Sequence, residues 1–290
     1  MTGLVTTMRP RQWTKNGFVF AALIFAHRLG DGESVLRSVA AFALFCALSG
    51  VVYLINDVLD RESDRQHPHK ARRPIASGAL AVPAAIAAAA LLAAGAVGAS
   101  VALGGRFAAV AIAYLTLLSL YSGFLKHIVI IDVLTVAIGF VLRAVAGALA
   151  VKVEISHWLL VCTIFLALFI ALAKRRHELV LLAGGAISHR RILGEYSPYL
   201  LDQMISVVTA STLVAYVFYT ISPETEQKFG TQWLGLTIPF PLYGIFRYLY
   251  LVHQREGGGS PAELLITDVP LLLCVALWGL AVVLLIYKPF

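Results

Sequence analysis

The sequence predicts an all-α fold: a polytopic membrane bundle of about nine transmembrane helices. Three observations carry that expectation. Of 290 residues, 59% are hydrophobic and only 13% charged, whereas soluble domains carry roughly 25% charged residues. Mean hydropathy is +0.83. Apolar runs close to the ~20 residues needed to cross the hydrocarbon core recur along the whole chain. A water-soluble core could not hide this much apolar surface. The composition equally excludes a disordered chain and a secreted disulfide scaffold. With no repeat of fixed period, and only Gly257-Gly258-Gly259-Ser260 as a low-complexity linker, residues 1–290 are expected to form one integral-membrane domain.

In chain order the expected spans are 13–29, 37–55, 79–103, 107–125, 128–151, 157–173, 204–222, 233–252 and 269–287. The first is marginal, because Lys15, Asn16 and His27 shorten its apolar centre. The third is dominated by Gly and Ala, which suits close helix–helix approach. The eighth contains Pro239 and Pro241 and is expected to be kinked or interrupted. Cys46, Cys162 and Cys274 each lie inside an apolar run and read as small hydrophobes. His27, His157, His189 and His253 show no ligand spacing. Arg9, Arg11 and Lys15 lead into a segment without an A-x-A exit, so no cleavable signal peptide is expected.

Lys plus Arg total 23 against 16 Asp plus Glu, a formal charge of +7. Nucleic-acid binding is one reading of that balance; a Lys/Arg excess on cytoplasmic loops is the stronger one. Nine spans place 16 basic residues on the side of the N-terminus and 6 on the other, with Arg143 inside a span. That asymmetry orients the chain in a bacterial plasma (inner) membrane. The N-terminus, the 56–78, 174–203 and 253–268 loops and Lys126 face the cytoplasm, and the C-terminus with Lys288 lies opposite.

The most informative stretch is Asn56-Asp57-Val58-Leu59-Asp60-Arg61-Glu62-Ser63-Asp64-Arg65. At 3.6 residues per turn, Asn56, Asp57, Asp60 and Asp64 fall within an arc of about 100° on one helical face, with Glu62 opposite. Like charges so stacked repel on a bare helix. A divalent cation turns the repulsion into attraction, and Mg²⁺ is usually held by one or two carboxylates with substrate phosphates completing its octahedron. The bland alternative is a solvated, charge-rich helix end in which Arg61 and Arg65 pair with the acids. Lys70, Arg72 and Arg73 follow at once. Cations so near a metal cluster call for an anion between them, and a pyrophosphate fits; anionic lipid headgroups are the alternative, chiefly for Arg72.

These residues carry a family resemblance. The N-D-x-x-D-x-x-x-D motif after the second of nine spans resembles the UbiA-type intramembrane prenyltransferase superfamily. The resemblance covers essentially the whole chain. It implies a helical bundle with a central cavity capped by cytoplasmic loops, and Mg²⁺-dependent transfer chemistry on a diphosphate. Arg9-Pro10-Arg11-Gln12-Trp13-Thr14-Lys15-Asn16, His67-Pro68-His69-Lys70-Ala71-Arg72-Arg73-Pro74-Ile75-Ala76-Ser77-Gly78 and Ala173-Lys174-Arg175-Arg176-His177-Glu178-Leu179 resemble, more narrowly, its decaprenyl-phosphate phosphoribosyltransferase branch. That branch takes 5-phosphoribosyl 1-diphosphate as donor and a polyprenyl phosphate as acceptor, and makes the precursor of cell-wall arabinose.

One difference separates the branches. Aromatic prenyltransferases of the superfamily carry a second D-x-x-x-D after the sixth span. None occurs between 174 and 203 here, where Lys174, Arg175, Arg176 and Glu178 stand instead. Extra cations fit a reaction with more phosphate groups; a positive-inside stop after a short span is the plain alternative. Tyr121 and Lys126 resemble the family's Y-x-x-x-x-K diphosphate element, or are an interfacial tyrosine and a snorkelling lysine. Asp132 and Arg143 lie near three turns apart in the fifth span, where intramembrane charges mark a functional cavity by default. Asp132 could hold the donor ribose or metal, and Arg143 could bind substrate or act as a structural clamp. Lys15 and Asn16 could meet the acceptor phosphate.

The expected catalytic set is Asp57, Asp60 and Asp64, holding Mg²⁺ with Asn56. Lys15, Asn16, Lys70, Arg73, Tyr121, Lys126, Asp132, Arg143, Lys174, Arg175 and Glu178 are the expected substrate-binding set. Expected partners are phosphoribosyl diphosphate, a polyprenyl phosphate and the bilayer, with homo-oligomerisation open and nucleic acid excluded. The rival readings are a UbiA-type enzyme using a prenyl diphosphate and an aromatic acceptor, and a cation-coupled transporter or lipid-binding protein. Against the second rival, the acids sit at one rim rather than at the midplane.

Overall fold

A computed structural model describes residues 2–68, 70–154, 157–181, 191–254, 264 and 267–287. Every regular element among them is helical. Contacts divide the chain into two compact units, residues 1–155 and 156–290. His69, His189, the 257–260 linker and Lys288 lie outside the described residues.

The first unit opens with a short helix α1 (Thr2–Thr7), a 3₁₀ segment (Pro10–Phe20) and α2 (Ala21–Phe25). Then come α3 (Gly32–Leu59), α4 (Arg61–Gln66), α5 (Val82–Leu103), α6 (Gly105–Gly123) and α7 (Ile131–Val151). The second unit holds α8 (His157–Leu181), α9 (Pro198–Ile221), α10 (Pro223–Phe229), α11 (Pro239–Gln254) and α12 (Val269–Tyr287).

Six helices among the described residues are long and apolar enough to cross a membrane: α3, α5, α6, α7, α9 and α12. The expected count of nine is therefore not reached on this criterion, and the clearest departure is the first run, 13–29. Its polar Lys15 and Asn16 fall in the 3₁₀ segment, and only five residues of α-helix follow, ending before His27. A 3₁₀ helix repeats every three residues. That period puts Trp13, Asn16 and Val19 on one face, and Asn16 and Val19 are the two buried residues of the segment.

One later boundary also moved. The sixth run was expected to end at 173, but α8 continues to Leu181. Lys174, Arg175, Arg176 and Glu178 thus sit on helix rather than in a loop. These residues are good helix formers, and Glu178 pairs with Lys174 and Arg175 at i,i+4 and i,i+3 spacing. The interruption expected in the eighth run is present: a 3₁₀ turn (Trp233–Thr237) precedes α11, which starts at Pro239. Proline suits a helix start because it lacks the N–H that would be unsatisfied there.

The core of the first unit forms where Phe45 of α3 meets Phe107 and Tyr114 of α6, with ring centroids 6.0 and 5.1 Å apart. Ala111, Ala146 and Ala150 fill the narrower gaps. At one end Arg37 donates to the carbonyls of Ala150 and Leu103, at 2.5 and 2.8 Å. It thereby satisfies helix-terminal acceptors of α7 and α5 that would otherwise be orphaned. The opposite end of α3 carries the acidic motif, beside the start of α5, the end of α6 and the start of α7.

In the second unit Trp158 of α8 stacks on Phe218 of α9 at 5.7 Å, and Phe169 meets Tyr248 of α11 edge-on at 4.9 Å. The Tyr216 hydroxyl bonds Thr237 at 2.6 Å and accepts from Trp278 Nε1 at 2.8 Å, tying α9 to α12. Arg247 chelates Asp268 through two nitrogens, at 3.1 and 2.8 Å. The hydrogen-bonded guanidinium holds that carboxyl below the usual range.

Gly147 of α7 is where the 3₁₀ segment crosses closest. A Cβ there would overlap the Val19 carbonyl, a backbone atom with no rotamer to yield. Gly147→Ala is expected to lower stability by about 1–3 kcal/mol, read as a fall in melting temperature of the detergent-purified protein. Gly95→Ala serves as the control, since nothing lies within 4 Å of an added methyl there, and it should leave the melting temperature unchanged or slightly raised.

Candidate active site

The acidic motif sits where α3 hands over to α4. Helical hydrogen bonding continues through the junction: Asp60 N–H donates to Asn56 O and Asp64 N–H to Asp60 O, both at 2.8 Å. The three acids therefore keep the common face read from their spacing. Asp57 and Asp64 are buried, with 2% and 3% of their side chains exposed, while Asp60 remains 29% exposed. Glu62, on the far face, is 73% exposed and takes up Arg61 and Arg65. Those two arginines do not reach the acids.

Each acid meets a cation from elsewhere in the chain. Arg73 NH1 donates to Asp64 Oδ2 at 2.6 Å and Asp57 Oδ1 at 3.2 Å. Lys126 Nζ donates to Asp60 Oδ1 at 2.5 Å, and is only 11% exposed. Arg9 NH2 donates to Asp57 Oδ1 at 2.6 Å. Three negative charges thus face three positive ones. The ion pairs use one oxygen of each carboxylate, Oδ1 of Asp57 and Asp60 and Oδ2 of Asp64.

Arg9 is the residue that sequence reasoning missed. It lay inside a noted motif, but its partner is 48 residues away. Two local features aim it. Leu4 and Met8 pack against the Val51–Leu54–Ile75 cluster, docking the N-terminal helix beside the end of α3. Arg9 itself has φ 53°, which turns the chain into the 3₁₀ segment. A non-glycine residue there is uncommon, and that backbone requirement leaves no mark in composition or periodicity.

The remaining expected residues divide into three groups. Asn56, Lys70 and Tyr121 are half-buried on α3, at the start of the Lys70–Arg72 3₁₀ turn, and on the last turns of α6. Asp132 is fully buried on the first turn of α7. Lys15 is half-buried on the Pro10–Phe20 segment.

Asn16 and Arg143 form a separate, deeper cluster. Arg143 Nε donates to Asn16 Oδ1 at 2.9 Å and NH2 to the Tyr114 hydroxyl at 2.7 Å. Its guanidinium lies 4.9 Å from both the Tyr114 and Phe140 ring centroids. Asn16 Nδ2 donates in turn to Cys46 Sγ and Ser49 Oγ. Ser49 precedes Asp57 by roughly 12 Å of helix rise. The geometry is that of the clamp: Arg143 pins the 3₁₀ segment and α6 to α7 through hydrogen bonds to two neutral groups, Asn16 and Tyr114.

Lys174, Arg175 and Glu178 belong to the second unit and pair among themselves. Beside them on α8, Arg176 binds Asp202 of α9 through Nε at 2.5 Å and NH2 at 3.4 Å. His253, to which the sequence assigned nothing, places Nε2 3.2 Å from the same Asp202 oxygen and Nδ1 2.9 Å from Leu249 O.

No group of three His, Cys, Asp or Glu side chains is positioned to hold a metal ion by itself among the described residues. The donor set nevertheless suits Mg²⁺. Hard carboxylate oxygens remain on Asp57, Asp60 and Asp64, and this ion is commonly held by one or two carboxylates with phosphate oxygens supplying the rest.

The sequence profile of the UbiA prenyltransferase family matches residues 17–267. The chain belongs to that family. Among its relatives is a decaprenyl-phosphate phosphoribosyltransferase of Corynebacterium glutamicum, 32% identical over 290 residues, covering 98% of this chain and 87% of the relative. The enzyme of the same description from Mycolicibacterium smegmatis is 33% identical, covering 96% and 90%. Among solved structures, a UbiA homologue from Archaeoglobus fulgidus bound to GPP and Mg²⁺ superposes with a TM-score of 0.75 at 18% identity, over 97% of this chain and 99% of that one. A digeranylgeranylglyceryl phosphate synthase gives 0.70 at 19% identity, over 98% of both chains. These structural likenesses are of fold. Family and apolar helices together make this UbiA-family chain an integral membrane protein.

The clamp assignment has a measurable consequence. Tyr114→Phe removes the acceptor for Arg143 NH2 and leaves a buried charged donor unmet, at an expected cost of about 1–3 kcal/mol. A clear drop in melting temperature with metal binding retained fits the clamp. An unchanged melting temperature would speak for Arg143 as a ligand-facing cation instead.

Proposed function

We propose that the chain transfers the 5-phosphoribosyl group from phosphoribosyl diphosphate to a polyprenyl (decaprenyl) phosphate, releasing pyrophosphate, at the cytoplasmic face of a bacterial plasma membrane. The product is a precursor of cell-wall arabinose. The observation that carries this reading is the set of three carboxylates on one helix end, each met by a cation from a different segment. It is supported by near full-length likeness to decaprenyl-phosphate phosphoribosyltransferases. The family match runs across both units, which supports reading residues 1–290 as one catalytic domain.

In the reaction the bond from C1 of the ribose to the diphosphate breaks, and a new C1–O bond forms to the lipid phosphate. The departing pyrophosphate carries the electron pair. Asp57, Asp60 and Asp64, with Asn56 beside them, are the residues that would hold Mg²⁺, which would offset charge on the leaving group. Arg73 and Lys126, which rest on Asp57, Asp64 and Asp60, would donate hydrogen bonds to phosphate oxygens once the diphosphate enters, with Lys70 on the same loop as Arg73 and Tyr121 five residues before Lys126. A lipid phosphate is already anionic at neutral pH, so its attack needs no strong general base. Catalysis rests on positioning and on electrostatic stabilisation of the separating charges.

The rival prenyl-diphosphate reading requires a second acidic motif on the counterpart of α8 and its following segment. Here those positions carry Lys174, Arg175 and Arg176, with Glu178 committed to Lys174 and Arg175. This basic helix end supports a donor and acceptor that bring several phosphates.

The test is direct. Purified protein with labelled phosphoribosyl diphosphate, a polyprenyl phosphate and Mg²⁺ should move label into the lipid extract. Asp60→Asn should cut that transfer by on the order of 100-fold or more with little change in melting temperature, because Asp60 is the most exposed of the three acids. Absence of label transfer, combined with turnover of a prenyl diphosphate and an aromatic acceptor, would overturn the assignment.

A further inference from the structure

Arg9 holds the acidic motif differently from the other two cations. Arg73 spans two carboxylates, and Lys126 is nearly covered on Asp60. Arg9 makes a single contact to Asp57, on the oxygen that Arg73 already uses. Its side chain is 28% exposed, and its guanidinium lies over the Tyr53 ring at 4.6 Å. A guanidinium has five N–H donors in a rigid fork that matches phosphate oxygens. Arg9 spends one of them on Asp57.

That geometry has a consequence for a metal ion. A bare divalent cation approaching Asp57 meets two guanidiniums already on the carboxylate, and their charges oppose it. It can reach the other oxygen of Asp57 only against that charge, and relieving the charge displaces a cation that then has no anionic partner. A diphosphate arriving with the metal supplies that partner, and the ring of Tyr53 gives the released guanidinium a surface to pivot on.

We propose that Arg9 is a further substrate-binding residue, which exchanges Asp57 for a phosphate oxygen as the metal-bound diphosphate enters. Divalent metal and diphosphate then bind as a unit rather than one after the other. The proposal rests on the reading of Asp57, Asp60 and Asp64 as metal-holding residues.

The experiment uses Mn²⁺ as the metal and inorganic pyrophosphate as the anion, with the full chain in detergent. Bound Mn²⁺ is read by electron paramagnetic resonance at matched free Mn²⁺. In the unaltered protein, pyrophosphate should raise Mn²⁺ affinity by about 10-fold or more, within the usual range of coupling between two ligands. In Arg9→Gln the gain should fall below about 3-fold, partly because Mn²⁺ alone now binds better. Arg9→Lys keeps the charge but not the fork, and should give an intermediate gain. It also tests the proposal if Arg9→Gln does not fold. Coupling in either variant equal to that of the unaltered protein overturns the proposal and leaves the metal reading standing. Mn²⁺ binding no tighter in the unaltered protein than in Asp57→Asn, with or without pyrophosphate, overturns the metal reading and the proposal with it.

Discussion

Three carboxylates stacked on one face of a helix end cannot stand alone, because each raises the cost of ionising the next. Much of the first unit is arranged around relieving that repulsion. Arg9 comes from the turn after the N-terminal helix, Arg73 from the loop after α4, and Lys126 from the short connection between α6 and α7. None is a neighbour on the helix itself. The nearby Arg61 and Arg65 are drawn off to Glu62 on the opposite face. The ion pairs therefore tie three distant segments to one end of α3. Removing a partner of the buried Asp57 or Asp64 would leave a charge stranded, which costs far more than the pair contributes. The half-exposed Asp60 is the acid whose loss the fold tolerates best.

That arrangement also sets what the site can do. On the proposed reading, a divalent ion alone gains little because every acid is compensated, whereas a metal-bound diphosphate offers each displaced cation a new partner. A buried, charge-matched network of this kind is poised for an anionic ligand of high charge. The deeper Asn16–Arg143–Tyr114 cluster performs a different task. It holds the 3₁₀ segment that follows Arg9 against α7 and α6, and so fixes where the N-terminal turn can place its guanidinium.

How much of this was legible in the sequence depends on the range of the interaction. The acidic face was legible because i, i+3 and i+7 spacing is a local property of a helix, and the ion pairs did not disturb it. The apolar helices were legible from run length and composition. The first run reads only as a marginal span, and its 3₁₀ winding, with Asn16 and Val19 set against α7, is something no hydropathy window registers. Asp132 and Arg143 share a helical side by spacing, yet Arg143 turns to Asn16, 127 residues away. Arg9 escaped for the same reason. Its role comes from one positive-φ residue and a docked helix of six residues, neither of which carries a periodic signal. The end of α8 was misplaced because charge was read as a stop, although paired charges at i,i+3 and i,i+4 extend a helix.

The central claim is that the carboxylates of α3 and α4 exchange their cations for metal when a diphosphate arrives. Anomalous scattering from crystals grown with Mn²⁺ and pyrophosphate tests it most directly. The account predicts a manganese peak coordinated by Asp57 or Asp60 together with pyrophosphate oxygens, and Arg9 moved from Asp57 onto a phosphate. Manganese and pyrophosphate bound elsewhere, with the Arg9–Asp57, Arg73–Asp64 and Lys126–Asp60 pairs intact, would contradict it.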